Sequence, residues 1–268
     1  MKKTLIALMA LAGVSFGATP ILDASFDGIL PEGFNYTGES ATFVDSGLEG
    51  YGQAIDFNKT AYLKTDTDCT DYAGITVGGK GTDFSIVTTV RFDSWAEASI
   101  GAPGGAGVEN RLFICGSGTA QGNGIAWTVA NGVMGITTKN KAHNPLSNPA
   151  ITLNTETWYT LALTYNNESG VASFYVNGAL AGTLTLGSAA VNDTTGTFSI
   201  GGGNLQYAQA IWDGAMADFK IYDATLTADE VAAFGAPTPA ASPIVPEPAT
   251  ATLSLLALAG LAARRRRK

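Results

Sequence analysis

The chain has 268 residues, of which 46% are hydrophobic and 14% charged, and it carries a formal net charge of −8. Its last five residues are all cations, so the body of the chain is more acidic than the total suggests. An acidic body repels phosphate backbones and anionic lipid, which excludes nucleic acid as a partner of the domain. The length suits one large all-β domain, or two small ones, with a substantial core.

The N-terminus reads first. Met1, Lys2 and Lys3 precede an apolar run over residues 4–14, and Ser15-Phe16-Gly17 places small residues at the two positions a signal peptidase reads. Residues 1–17 are expected to be a secretory signal peptide, cut after Gly17 or one residue later. A buried N-terminal helix is the alternative, but it does not account for that order of basic, apolar and small segments.

Strands are expected along most of the following chain. Residues 84–92 (FSIVTTVRF) place Phe84, Ile86, Val90 and Phe92 on one face, with Val87 breaking the polar alternation on the other. Further strands are expected over residues 111–115, 124–130, 133–138, 197–200 and 215–222. Residues 157–165 (TWYTLALTY) alternate with Tyr159, Leu161, Leu163 and Tyr165 on one face. Residues 171–176 meet Asn177-Gly178, a pair that tolerates positive φ twice and predicts a two-residue hairpin into residues 179–186. Thr227-Ala228-Asp229-Glu230 is a capping box that starts one short helix.

Residues 235–244 are rich in Pro, Ala and Ser and predict a semi-rigid linker. The apolar run over residues 249–263 would span only about 22 Å as a helix, against a hydrocarbon core of roughly 30 Å. The cations behind it, Arg264, Arg265, Arg266, Arg267 and Lys268, hold a translocating chain on the cytoplasmic side.

Cys69 and Cys115 lie in the exported part. An oxidising compartment favours a disulfide between them; two separate buried thiols remain the alternative.

Two resemblances follow from these residues. Val245, Pro246, Glu247 and Pro248, the short apolar run and the Arg cluster together resemble the PEP-CTERM sorting signal of Gram-negative bacteria. The resemblance implies a transient stop in the inner membrane, processing near Pro-Glu-Pro by an exosortase, and release to the cell surface or extracellular matrix. The second resemblance rests on four pieces in order: GQAIDFNKTAYLKT (52–65), FSIVTTVRFDSW (84–95), TWYTLALTYNNESGVASFYVNGALAGT (157–183) and GAMADFKIYDATLTADEVAAF (214–234). They resemble the laminin-G-like, concanavalin A-like jelly roll. The expected architecture is an antiparallel all-β sandwich over residues 18–234, with terminal signal and membrane helices, the linker, and the sorting signal over residues 245–268.

The jelly-roll resemblance also raises catalysis, because that fold hosts glycoside hydrolases. Their paired carboxylates sit about 5 Å apart in retaining enzymes. The closely spaced acids here, Asp66/Asp68/Asp71 and Asp229/Glu230, lie in a polar loop and a helix cap. His143, the one histidine, is expected in a loop without a nucleophile motif beside it. No catalytic residue is assigned. Binding of a glycan, or adhesion, is the expectation, with a structural matrix role as the alternative. Among the tryptophans, Trp127 and Trp158 are expected to be packed. Tyr207 and Trp212 are the candidates for an exposed sugar platform. Relatives of this fold hold calcium between first and last strands, which singles out Asp23, Asp27 and Asp218, although calcium takes six to eight oxygens.

Overall fold

The computed structural model describes residues 17–39, 41–68, 83–95, 110–116, 124–138, 141–186, 197–202 and 212–241. The signal segment before Gly17, Cys69, Tyr207, and the sorting motif with its apolar run and Arg cluster lie outside these residues. Among the described residues no helix is long and apolar enough to cross a membrane.

Two antiparallel sheets face each other. The first runs in the order β13 (Ala179–Thr185), β12 (Val171–Val176), β11 (Trp158–Asn166), β6 (Phe84–Phe92), β15 (Gly214–Tyr222), β4 (Tyr51–Asp56) and β3 (Thr42–Leu48). β1 (Leu22–Ser25) also pairs with β15. The second runs β10 (Lys141–Pro145), β9 (Val133–Thr138), β8 (Gly124–Ala130), β7 (Asn110–Gly116), β14 (Thr197–Ile200), β5 (Ala61–Asp68) and β2 (Phe34–Gly38). Their inner faces interdigitate: Ile86, Val90, Phe92, Leu161, Leu163, Met216 and Phe219 from the first sheet meet Leu63, Phe113, Trp127, Phe198 and Ile200 from the second. Period-2 alternation puts each set on one side of its strand, and burial of that side drives the two sheets together.

Val87 breaks the polar alternation of β6 for a reason. It points outward into a second cluster with Ala162, Tyr175, Tyr222, Leu226 and Val231, beneath α1 (Ala228–Phe234). The expected capping box starts that helix: Thr227 Oγ1 accepts from Glu230 N, and Glu230 Oε2 accepts from Thr227 N at 2.8 Å. Ser85 Oγ donates to Ala224 O and accepts from Leu226 N, pinning the helix lead-in to the sheet.

The hairpin between β12 and β13 turns at Asn177 and Gly178, with φ of 52° and 81°. A Cβ on Gly178 would lie 2.9 Å from Ala232 Cα, so glycine also lets α1 approach.

Two expectations change. Residues 141–145, read as a loop, pair with β9 as β10 and place His143 in a strand. The linker does not begin free at residue 235: Glu49 N donates to Thr238 O at 2.8 Å, and the compact unit runs through Thr238. Of the second unit, 239–268, residues 239–241 are described.

Candidate functional site

Register assembles a row across the outer face of the first sheet. Ala215 of β15 pairs with Asp56 of β4 on one side and Arg91 of β6 on the other, and Arg91 pairs with Trp158 of β11. Directly paired residues share a face, so Asp56, Ala215, Arg91 and Trp158 project together. The Trp158 ring is half-buried, and the Arg91 guanidinium lies over it, 5.4 Å from the centroid. Asp93 grips the guanidinium through two bonds, Nε to Oδ1 at 2.6 Å and Nη2 to Oδ2 at 2.9 Å. Arg91 is held above its ordinary pKa, first by the Asp93 hydrogen bonds. Asp56 is pushed up by burial first and then by the Asp93 charge.

The strand ends beside this row add charge. Lys59 Nζ lies 3.1 Å from Asp213 Oδ2, and Ser94 Oγ donates to the same oxygen. Glu156 N donates to Phe92 O, which holds its chain beside the end of β6. Below the row, Ala54, Ala215 and Ala217 are fully buried under Val44, Tyr51 and Trp158. The arrangement presents one aromatic edge, one neutralised guanidinium and an excess of carboxylates.

Trp212 does not form an exposed platform. Its side chain is fully buried, 5.4 Å from both Phe57 and Phe92. Gly201 O accepts its N–H and Lys59 donates to its carbonyl, so the backbone around the ring is tied into the fold. The ring closes the end of the core, and its Nε1 has no hydrogen-bond partner. Trp127 is packed as expected. Trp158 packs outside the core: it stands half-buried on the outer face against Ala54, Ala215 and Ala217, opposite the Tyr159, Leu161 and Leu163 side of its own strand.

The three candidate calcium ligands do not converge on one point. Asp23 Oδ1 lies 2.5 Å from Lys220 Nζ, and Asp218 Oδ2 lies 4.0 Å from the same nitrogen. An ammonium therefore already neutralises the seam between first and last strands. Asp27 Oδ1 instead accepts from Gln53 N at 3.0 Å. Among the described residues no group of three His, Cys, Asp or Glu could hold a metal ion. These residues do not fit calcium.

Asp218 has a different task. A bulge between Met216 and Asp218 interrupts the β15–β6 ladder. Asp218 Oδ1 accepts from Thr89 N at 2.6 Å, satisfying the donor the bulge leaves over. Oδ2 accepts from Tyr51 Oη at 3.2 Å. Burial raises the Asp218 pKa first, with Lys220 opposing it. Tyr51 is pushed up to about 12, by burial and then by the Asp218 charge.

Cys115 is buried in the core on β7. Its expected partner Cys69 lies outside the described residues, so the bridge is not placed.

Two packed antiparallel sheets, with one short helix among the described residues laid on the outer face, define a jelly-roll β-sandwich. The chain belongs to the concanavalin A-like lectin/glucanase superfamily, whose family profile matches residues 71–232, more than half the chain. A PEP-CTERM protein-sorting motif matches residues 245–268, which marks the chain for export and membrane-associated processing. No curated protein matches. Among solved structures, domain 4 of the extracellular arabinanase AbnA from Geobacillus stearothermophilus, in complex with arabinotriose, is similar at a TM-score of 0.58. Identity there is 15%, over 81% of this chain and 98% of that one. The sialidase module CBM40 from Ruminococcus gnavus, bound to α2,3-sialyllactose, is similar at 0.50 and 17% identity, over 81% and 100%. A mutant Trypanosoma rangeli sialidase is similar at 0.51 and 15% identity, over 75% of this chain and 29% of that one. At these identities the likeness shows the fold.

Proposed function

We propose that the chain is a surface or extracellular-matrix module, cut by signal peptidase and exosortase, whose sandwich binds a glycan without transforming it. The observation that carries this is the outward Trp158 beside Asp56 and Asp93. An aromatic edge suits the apolar face of a sugar ring, and carboxylates accept from its hydroxyls. Two similar structures are complexes with oligosaccharides, and each is covered almost end to end. The carboxylates around the row are engaged: Asp93 by Arg91, and Asp213 by Lys59 and Ser94. Engaged carboxylates orient a ligand better than they transfer protons.

The charge balance points to a neutral sugar. Arg91 is held by Asp93 and Lys59 by Asp213, so a carboxylated glycan meets paired cations and further acids in Asp56 and Glu156. The test is binding of the exported, processed protein to an array of neutral and acidic glycans, with Trp158→Ala as control. Retention of a neutral glycan that Trp158→Ala abolishes, at unchanged fold, supports the reading.

One observation favours a structural matrix role instead. Beyond Trp158 the same outer face carries Thr160, Thr164 and Ser173, and its further rings, Tyr175 and Tyr222, are buried in the cluster beneath α1. Absence of binding to every glycan would leave that second reading standing.

A further inference from the structure

The chain enters the fold beside the capping box of α1. Gly17 N donates to Glu230 Oε1 at 3.1 Å. Ala18 packs against the cluster of Val87, Tyr222, Leu226 and Val231. Ile21 N donates to Ile221 O at 2.8 Å, and from Leu22 onward β1 is zipped to β15. Between these anchors an open groove has residues 17–21 on one side and Asp223, Ala224, Thr225 and Glu230 on the other. Both of its charged lining residues are acids. The segment is therefore seated at two points, with Glu230 bonded to the residue just before the bond that the sequence marks for cleavage and Asp223 lining the same groove.

We propose that this groove is the seat of the chain's own processed N-terminus, whose α-ammonium is held by Glu230 and Asp223. The inference rests on the signal-peptide reading of residues 1–17. Signal peptidase and water hydrolyse the Gly17–Ala18 amide: Gly17 leaves with the signal peptide as a carboxylate, and the freed Ala18 amine takes up a proton. Glu230 Oε1 then loses a neutral amide donor. It gains a cation with three donors, one residue or about 3.8 Å further along the chain. Cleavage one residue later leaves the same charge on Thr19, still lining the groove.

The surroundings make a cation welcome there. Glu230 and Asp229 lie in the first turn of α1, and Asp223 follows β15. Tyr222, at the end of β15, also feels the Glu230 charge. Lys220, the cation of that strand, is committed to Asp23 on β1. Glu230 is held below its ordinary pKa, first by the Thr227 backbone donor, so it is ionised when the amine arrives. Maturation thus converts a hydrogen bond into an ion pair at the start of β1. The fold recognises its processed form by charge.

The test uses the exported protein, with intact mass first establishing that it begins at Ala18 or Thr19. Its N-terminal amine is then titrated by NMR after reductive methylation with ¹³C-formaldehyde, in wild type, Asp223→Asn and Glu230→Gln. The same label on a short peptide copying the mature N-terminus sets the reference. The expected result is a wild-type amine titrating roughly half a pH unit above the peptide, the size of one exposed ion pair. Each substitution should bring it back toward the peptide value. Asp223→Asn leaves the capping box intact, so it separates the amine's partner from helix stability. A start at any other residue, an amine that titrates like the peptide, or one that both substitutions leave unmoved overturns the proposal. None of these outcomes depends on whether the sandwich binds a glycan.

Discussion

Arg91 and Trp158 face each other across the β6–β11 ladder, the guanidinium 5.4 Å above the indole, with Asp93 holding the guanidinium through Nε and Nη2. The cation is thus neutralised before any ligand arrives. Asp93→Asn should release it. A carboxylated glycan, disfavoured in the proposed neutral-sugar site, should then bind more tightly by about tenfold, equivalent to roughly 1.4 kcal/mol. Calorimetric titration of both proteins with sialyllactose and with lactose checks this. An equal gain for the neutral sugar would mean that charge does not set the preference.

The two tryptophans should separate function from stability. Trp212→Ala empties a fully buried site and should cost about 3–5 kcal/mol. Trp158→Ala removes a half-buried ring and its cation–π contact and should cost only about 1 kcal/mol. Urea unfolding reads both. If Trp158 proved the costlier truncation, its assignment to the ligand face would fail.

Asp218 gives a pH signature. Its folded pKa lies above the unfolded value, so the native state binds the extra proton more tightly than the unfolded chain. That contribution is fully present below the unfolded carboxylate value near 3.9 and is lost as pH rises through the raised folded value. Asp218→Asn keeps an acceptor for Thr89 N and removes the titration. The difference in unfolding free energy between wild type and Asp218→Asn should therefore drift toward the variant across that window. A pH-independent difference would show that the carboxyl is not perturbed.

Chelation should leave the melting temperature unchanged, because Lys220 and not a metal ion neutralises Asp23 and Asp218. Lys220→Met should lower stability by about 1 kcal/mol, leaving a nearly buried carboxylate without its cation. A chelator that lowered the wild-type melting temperature would reinstate a metal at the seam.

The tail prediction concerns covalent structure. Protein recovered from the cell surface should lack everything beyond about Glu247, and its intact mass reports this directly. Replacing Pro246, Glu247 and Pro248 by alanines should strand the chain in the inner membrane. Arg264–Lys268 still attached to surface protein would make the tail an ordinary anchor.

Much of the fold was legible because burial follows period 2: Phe84, Ile86, Val90 and Phe92 all turn inward, and Asn177-Gly178 turns as its chemistry requires. The same alternation that put Tyr159 and Leu161 inward already placed Trp158 outward. The jelly-roll resemblance pointed the other way, since it implies a core position for that tryptophan. Trp212 failed the other way. It follows a glycine-rich stretch, but the adjoining Gly214 has no side chain, and the ring fills the end of the core beside Phe57 and Phe92. Asp218 could not be read at all: a bulge is not visible in residue types, and it turns what looked like a metal ligand into a partner for Thr89. The row of Asp56, Arg91 and Trp158 depends on register between strands far apart in sequence, which no local pattern encodes.

The bond between Glu49 and Thr238 carries a last consequence. β15 runs from Gly214 to Tyr222, and Ile21 joins it near Tyr222 through Ile221. β4 runs the opposite way, so the turn before Tyr51 reaches that same end, and Thr238 leaves from it. The polypeptide therefore arrives and departs at one pole of the sandwich, while Asp93, Trp158 and Asp213 occupy the other. Both junctions, at Gly17 and at Thr238, therefore lie at the pole opposite Trp158, and the row of Asp56, Arg91 and Trp158 stays clear of them.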